Sequence, residues 1–205
     1  MSLPTFQEIE SLHKKYAPSD KVFNLIFTHC QIIADVAEQL ITDNHLEVDT
    51  NLVKVGCLLH DIGVYPIFDE EGGRREGMYY ITHGTRGEDI LKAEGYPEII
   101  WRIASHHTGV GLTAADIREQ KLPLPEQDYL AETKEETLVM YADKFHSKSP
   151  YPHFNSYEYY KEIVESFGEG KSKKFEKMAQ EFGVPNLEPL SEKYSHPIGV
   201  ELKAL

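Results

Sequence analysis

The sequence predicts an all-α fold, and three observations carry that expectation. Apolar residues recur at helical spacing, as in Val22, Leu25, Ile26, Ile32, Ile33, Val36 and Leu40. Helix-start residues stand before such stripes: Ser19 or Asp20, Asp49 or Thr50, and Thr133 followed by Glu136 in a capping-box pattern. Glycine or proline then closes the segments, at Ala17-Pro18-Ser19, Gly63 and Gly95.

In chain order, Thr5 to Tyr16 reads as a short first helix. A second runs from Ser19 or Asp20 to about Asp43, with His29 inside its apolar stripe. A third, Asn51 to Ile62, is apolar nearly all round, the mark of a central buried helix. Gly56 lets a neighbour approach one turn before His60, and Gly63 is expected to end the helix. Val64 to Ile81 shows no sustained period and reads as a mobile loop, with Gly72, Gly73, Gly77 and the pair Arg74-Arg75 in its middle. His83-Gly84 opens a helix to about Glu94, and Pro97 opens another, Glu98 to His107. In the latter, His107 follows Ile100, Ile103 and Ala104 on the apolar face, whereas His106 shares its side with Ile99 and Arg102. Thr113 caps a short helix through Ile117. The Thr133 capping box precedes Leu138 to Ala142, with Asp143 in the same helix. Ser147 to Ser156 is a Pro- and aromatic-rich loop. Tyr157 to Phe167 and Lys171 to Phe182 are amphipathic helices expected to pack on the outside, and the tail after Gly183 is expected to be extended.

A chain of 205 residues fits one domain spanning 1–205, with 40% apolar and 27% charged residues. The net charge of −13 argues against nucleic-acid polymers and anionic membranes as partners. No apolar run approaches the ~20 residues of a membrane span. Met1 to Asp20 lacks the apolar core of a signal peptide. Cys30 and Cys57 are expected as buried free thiols of a cytoplasmic protein. A homodimer is compatible with the sequence and not required by it.

His60 and Asp61 stand side by side at the end of the most apolar segment. A buried charge there is costly unless it is paired or bound to metal. The inward histidines and carboxylates, in order, are His29, His60-Asp61, His83, His106/His107 and Asp143. Each lies on or at the end of a helix with an apolar face, so five core helices can bring them to one centre. Imidazole and carboxylate together suit divalent transition metals, with zinc, iron, manganese, cobalt and nickel all accepted.

This set resembles the HD-domain superfamily of metal-dependent phosphohydrolases, over roughly Phe27 to Lys148. The resemblance rests on His29, His60-Asp61-Ile62-Gly63, His83-Gly84, His106-His107-Thr108-Gly109 and Ala142-Asp143. It implies an HD-domain helical bundle, with a metal-binding core at about 20–150 and peripheral C-terminal helices and tail at about 151–205. It implies that His29, His60, Asp61 and Asp143 hold one ion. His83 and His107, or His106, would hold a second, with Asp61 bridging the two. His60 and Asp61 would be the catalytic centre of a phosphohydrolase acting on a small, nucleotide-type phosphorylated substrate. Arg74, Arg75, Arg86 and Lys144, with Arg102 and Lys148 beside them, are the cations available to phosphate. Many relatives follow the signature with lysine, where this chain has Val64. Two rival classes remain: a di-iron oxygenase on the same scaffold, and a non-catalytic metal-stabilised binding module.

Overall fold

A computed structural model describes residues 3–149 and 151–199. Ten α-helices follow one another among the described residues: α1 (Phe6–Tyr16), α2 (Asp20–Asp43), α3 (Thr50–Leu59), α4 (His83–Ala93), α5 (Glu98–His106), α6 (Ala114–Gln120), α7 (Lys134–Ala142), α8 (Tyr157–Val164), α9 (Lys171–Phe182) and α10 (Glu188–Tyr194). Among the described residues the only sheet is a two-stranded hairpin, β1 (His146–Ser147) with β2 (His153–Phe154). The fold is all-α, as expected.

Local chemistry sets the helix starts. Thr5, Thr113 and Thr133 each accept from the backbone three residues on, and Glu8, Asp116 and Glu136 reach back to the cap in complete capping boxes. Ser19 caps α2, and Asp49 caps α3 through two backbone N–H groups.

Two apolar clusters form the core. One gathers α2, α3, α5 and α7 with α8, α9 and α10, through residues such as Ile33, Val36, Val53, Ile103, Val139, Tyr141, Phe175 and Phe182. The other packs α1 against α2, α3, α4 and α5, through Ile9, Ile26, Leu58, Leu59, Leu91 and Ile100. Helix α3 lies in both, which is why its sequence is apolar all round. A Cβ on Gly56 would stand 2.7 Å from Ile103 Cδ1, so the bare glycine does let α5 approach α3.

The structure corrects five expectations. Helix α3 ends at Leu59, not Ile62, and a buried 3₁₀ segment, Ile62–Ile67, follows. Gly63 lies inside that segment; a Cβ there would come within 2.1 Å of His83 O and 2.2 Å of Gly87 N. Its role is close packing on α4 rather than stopping a helix. The irregular stretch is therefore shorter than Val64 to Ile81: it begins at Phe68, and Tyr80–Thr82 already forms a 3₁₀ turn. Helices α8 and α9 do not merely cover the outside, since Val164, Phe175 and Phe182 are fully buried in the core. Finally, the tail is not simply extended, because Glu188–Tyr194 is helical, with Pro189 in its first turn.

Candidate metal centre

Four of the five core helices present their donors at helix ends. His60-Asp61 follows α3, His83 begins α4, His107 caps α5 and Asp143 caps α7, while His29 comes from inside α2. One device recurs three times. His60 Nδ1 donates to Cys57 O (2.7 Å), His83 Nδ1 to Tyr80 O (2.8 Å) and His107 Nδ1 to Ala104 O (2.7 Å). Each ring satisfies a carbonyl three residues back. In a neutral ring this bond puts the lone pair on Nε2. At His60 burial opposes the charged form, but Asp61 outweighs it and holds the ring well above the ordinary imidazole range.

The Nε2 atoms converge on carboxylates in two sets that share Asp61. The ligand atoms of His29, His60, Asp61 and Asp143 lie within 4.8 Å of one another, and so do those of Asp61, His83 and His107. Asp61 Oδ2 is 3.3 Å from both His29 Nε2 and His60 Nε2, whereas Oδ1 is 3.7 Å from both His83 Nε2 and His107 Nε2. Asp143 Oδ1 closes the first set at 3.0 Å from His29 Nε2 and 3.3 Å from His60 Nε2. Asp61 is 0% exposed and His29 1%, so these two side chains are shielded from bulk water.

These residues fit a metal on their own chemistry. Among the described residues, His60 Nε2 and Asp61 Oδ1 are buried without a hydrogen-bond partner. Orphaned buried polar atoms are rare and costly. His83 Nε2 and His107 Nε2 stand 3.0 Å apart, two lone pairs face to face. A divalent cation between such groups removes both costs. Burial pushes His83 down to about 4 and His107 well below the usual imidazole range, so both are neutral and ready to bind at physiological pH. Burial also opposes charge on Asp61 and Asp143. The Lys148 ammonium and then His60 outweigh it at Asp61, and Lys144 with His29 and His60 does so at Asp143, leaving both well below the carboxylate range.

The other candidate residues fall outside this cluster. His106 is not brought to the centre: its Nδ1 meets Ser105 Oγ (2.7 Å) and Arg102 O (3.0 Å), and its ring faces Tyr129. Arg102 is bound to Glu136 (2.9 Å), Leu130 O and Glu132. Arg86 donates to Thr82 Oγ1 (3.0 Å) and Met78 Sδ. Arg75 Nε donates to Phe68 O, and Arg74 sits in the same exposed turn. The turn is tied to the start of α2 by Ser19 Oγ on Glu70 O and Lys21 Nζ on Glu71 O. Lys144 is buried behind the centre, donating to Asp143 Oδ2 (2.6 Å) and His107 O (3.0 Å).

A cleft of about 560 Å³ opens on the centre, lined among others by Phe68, Tyr80, Asp143, Lys144, His146 and Lys148. Lys148 forms an ion pair with Asp61 Oδ2 and lies 3.4 Å from His29 Nε2. Tyr80 stacks on His83, with centroids 4.8 Å apart. Sequence reasoning missed Tyr80, His146 and His196. None sits in an apolar stripe, and no local pattern marks them.

Residues 26–148 match the family described as HD domain. An uncharacterised protein of Methanocaldococcus jannaschii is 37% identical over 121 residues, 58% of this chain and 64% of that protein. Two enzymes named tRNA (cytidine(56)-2'-O)-methyltransferase also match. The one from Picrophilus torridus is 36% identical over 61% of this chain, and the one from Thermoplasma volcanium 33% over 69%. The matched stretch covers only 32% and 36% of those two proteins. Among solved structures, the HD domain of the Listeria monocytogenes phosphodiesterase PgpH superposes with a TM-score of 0.52 at 18% identity, covering 91% of this chain and 98% of that one. A second structure of that domain, with cyclic-di-AMP, gives the same TM-score of 0.52 at 20% identity, over 88% of this chain and 89% of that one. The matched segment is more than half of the sequence and holds every residue of the two ligand sets, and by it the chain belongs to the HD domain family.

Proposed function

We propose that the protein is a two-metal phosphohydrolase acting on a small nucleotide-type phosphoester or phosphoanhydride. The observation that carries this reading is the division of labour on Asp61. One carboxylate oxygen faces the His29–His60–Asp143 set and the other faces His83 and His107. Two ions held by such sets would supply an activated water and would neutralise phosphoryl oxygens.

The chain's own residues do the rest. His60, His83 and His107 are held rigid by their Nδ1 bonds, so the donor geometry needs little reorganisation. Lys144 fixes Asp143 from behind. Lys148 carries positive charge to the floor of the cleft, where a phosphoryl group would approach. Burial opposes that charge, but Asp61, Tyr80 and Asp143 hold its ammonium well above the ordinary lysine range, so it is a permanent cation. The cleft's aromatic walls, Phe68 and Tyr80 among them, suit a flat base. The cyclic-di-AMP bound by the similar Listeria domain supports a nucleotide as substrate class.

The test is a hydrolysis screen. The protein is stripped with chelator, reloaded with manganese, iron, cobalt, nickel or zinc, and offered cyclic dinucleotides, dinucleoside polyphosphates, mononucleotides and simple phosphate monoesters. Metal-dependent release of phosphate or a linear nucleotide is expected. Metal-loaded protein that hydrolyses none of them, with and without oxygen, would overturn the proposal.

A further inference from the structure

His29 differs from the other histidines of the centre. Its Nδ1 meets no carbonyl; it meets a ring nitrogen, His146 Nδ1, at 2.9 Å. His146 Nε2 in turn lies 3.0 Å from His196 Nδ1. The His146 and His196 rings stack at 18° with centroids 5.2 Å apart. His146 is buried, and His196 is half-exposed.

A nitrogen–nitrogen contact of this length needs a cation or a proton between the two atoms, and neither His146 nor His196 belongs to a ligand set, so here it is a proton. With neutral rings, only two arrangements satisfy both contacts. In the first, His196 Nδ1 donates to His146 Nε2, His146 Nδ1 donates to His29 Nδ1, and His29 carries its proton on Nε2. In the second, every donor and acceptor is exchanged: His29 Nδ1 donates to His146 Nδ1, and His146 Nε2 donates to His196 Nδ1. Only the second leaves a lone pair on His29 Nε2. A ligand nitrogen must offer that lone pair.

The far end of the array lies outside the HD-matched segment 26–148. Phe154 N donates to Pro197 O (2.8 Å) and Gly199 N to Phe154 O (2.7 Å), so the segment after α10 is strapped along β2. Ser191 Oγ donates to His196 O (2.7 Å) and fixes that residue's backbone. The strap puts a histidine from the C-terminal region against a buried partner of a metal ligand.

We propose that His146 and His196 are positioning residues of the metal centre: the C-terminal strap completes a histidine array that holds His29 as a lone-pair donor. Going from the first arrangement to the second, one proton leaves His29 Nε2, two pass between neighbouring rings, and one enters at His196 Nε2. On balance the array as a whole gains and loses no proton. His196, nearest the surface, is where the array exchanges with water. The proposal requires a metal at His29 and says nothing of what that metal hydrolyses, so the hydrolysis screen and this inference stand or fall separately.

Cobalt(II) titration of the full chain, read by competition with a chromophoric chelator, tests it. In a His83→Ala/His107→Ala background only the His29 set remains. There His146→Phe, which keeps the ring and removes both hydrogen bonds, should weaken cobalt binding ten- to about a hundredfold, the usual cost of losing a ligand's outer partner. His146→Gln, whose amide both donates and accepts, should recover most of that loss. His196→Ala should give a smaller loss in the same direction. In a His29→Ala/Asp143→Ala background, which keeps the other set, none of the three should change affinity. Unchanged affinity in the first background, or equal losses in both, would overturn the proposal. Circular dichroism checks folding. If His146→Phe does not fold, His196→Ala alone decides, and no loss of cobalt affinity there overturns it.

Discussion

His83 Nε2 and His107 Nε2 face each other at 3.0 Å, while each ring spends its other nitrogen on a carbonyl three residues back. Two such lone pairs repel unless a cation or a proton lies between them. Burial disfavours the proton on both rings. The pair is suited to clamp a metal, and His107 lies in it where its sequence neighbour His106 does not. His107→Ala should cost one bound ion by elemental analysis and most of the activity. His106→Ala should keep full metal content with a several-fold loss of activity at most, since its ring packs on Tyr129 instead. Loss of metal in His106→Ala alone would reverse the assignment.

Asp61 is the one residue common to both ligand sets. Asp61→Asn keeps the shape and removes the charge that holds two cations. It should lower metal content at both sites together and reduce hydrolysis by on the order of a hundredfold or more, the scale of losing a ligand with its partner shell. It also deprives Lys148 of its ion-pair partner, so the variant is expected to be no more stable than the parent. Full metal occupancy in Asp61→Asn would refute the shared role.

The lining of the cleft divides the lysines from the arginines. Lys148 lines the cleft, whereas Arg74 and Arg75 sit in an exposed turn and do not line it. Lys148→Ala should raise KM for a phosphorylated substrate, or lower kcat/KM, by about tenfold or more, as expected when a charge-assisted bond is lost. Arg74→Ala with Arg75→Ala should change either constant less than about threefold, within the range of a weak exposed charge. A larger effect of the arginine pair than of Lys148 would show that the Phe68–Tyr79 stretch closes over the substrate.

Which histidines turn inward was readable in the sequence because helix periodicity carries direction. His29 falls in the Leu25, Ile26, Ile32, Ile33 stripe and His107 in the Ile100, Ile103, Ala104 stripe, and both rings are buried at the centre. The capping box at Thr133 and the bounds of Lys171–Phe182 were legible for the same local reasons. Where the period is too short or absent, reading failed. Ile62–Ile67 is a single 3₁₀ segment containing Pro66, and its buried Val64, Tyr65 and Ile67 follow no helical repeat. Pro185 and Pro189 suggested an extended tail, although Pro189 stands where a first helical turn tolerates it. His146 was out of reach altogether: its partner His29 is 117 residues away, and no sequence pattern records that contact.

His13 offers a pH test on a residue that belongs to neither ligand set. Its ring is fully buried between α1 and the 3₁₀ segment, with Nε2 donating to Leu58 O (2.7 Å) and Nδ1 accepting from Tyr65 Oη (2.7 Å). Both ring nitrogens are used by the neutral form, and a second ring proton would point at the tyrosine hydroxyl. Burial pushes the group down from 6.5 to about 4, and the Leu58 bond only partly offsets this. The folded state thus binds this proton less readily than the unfolded chain. The contribution is fully present above pH ~6.5 and is lost as pH falls toward ~4. Over that window the group accounts for roughly 3 kcal/mol, taking ~1.4 kcal/mol per unit. His13→Gln keeps a donor and an acceptor and does not titrate. It should be less stable than the parent at pH 7.5, because Tyr65 and Leu58 meet an imperfect partner. Its urea-unfolding free energy should nevertheless fall less between pH 7 and pH 4.5 than the parent's. The other buried histidines titrate in both proteins, so the difference between the two slopes isolates His13. Identical slopes would mean that His13 does not stay neutral in the folded protein as the pH falls.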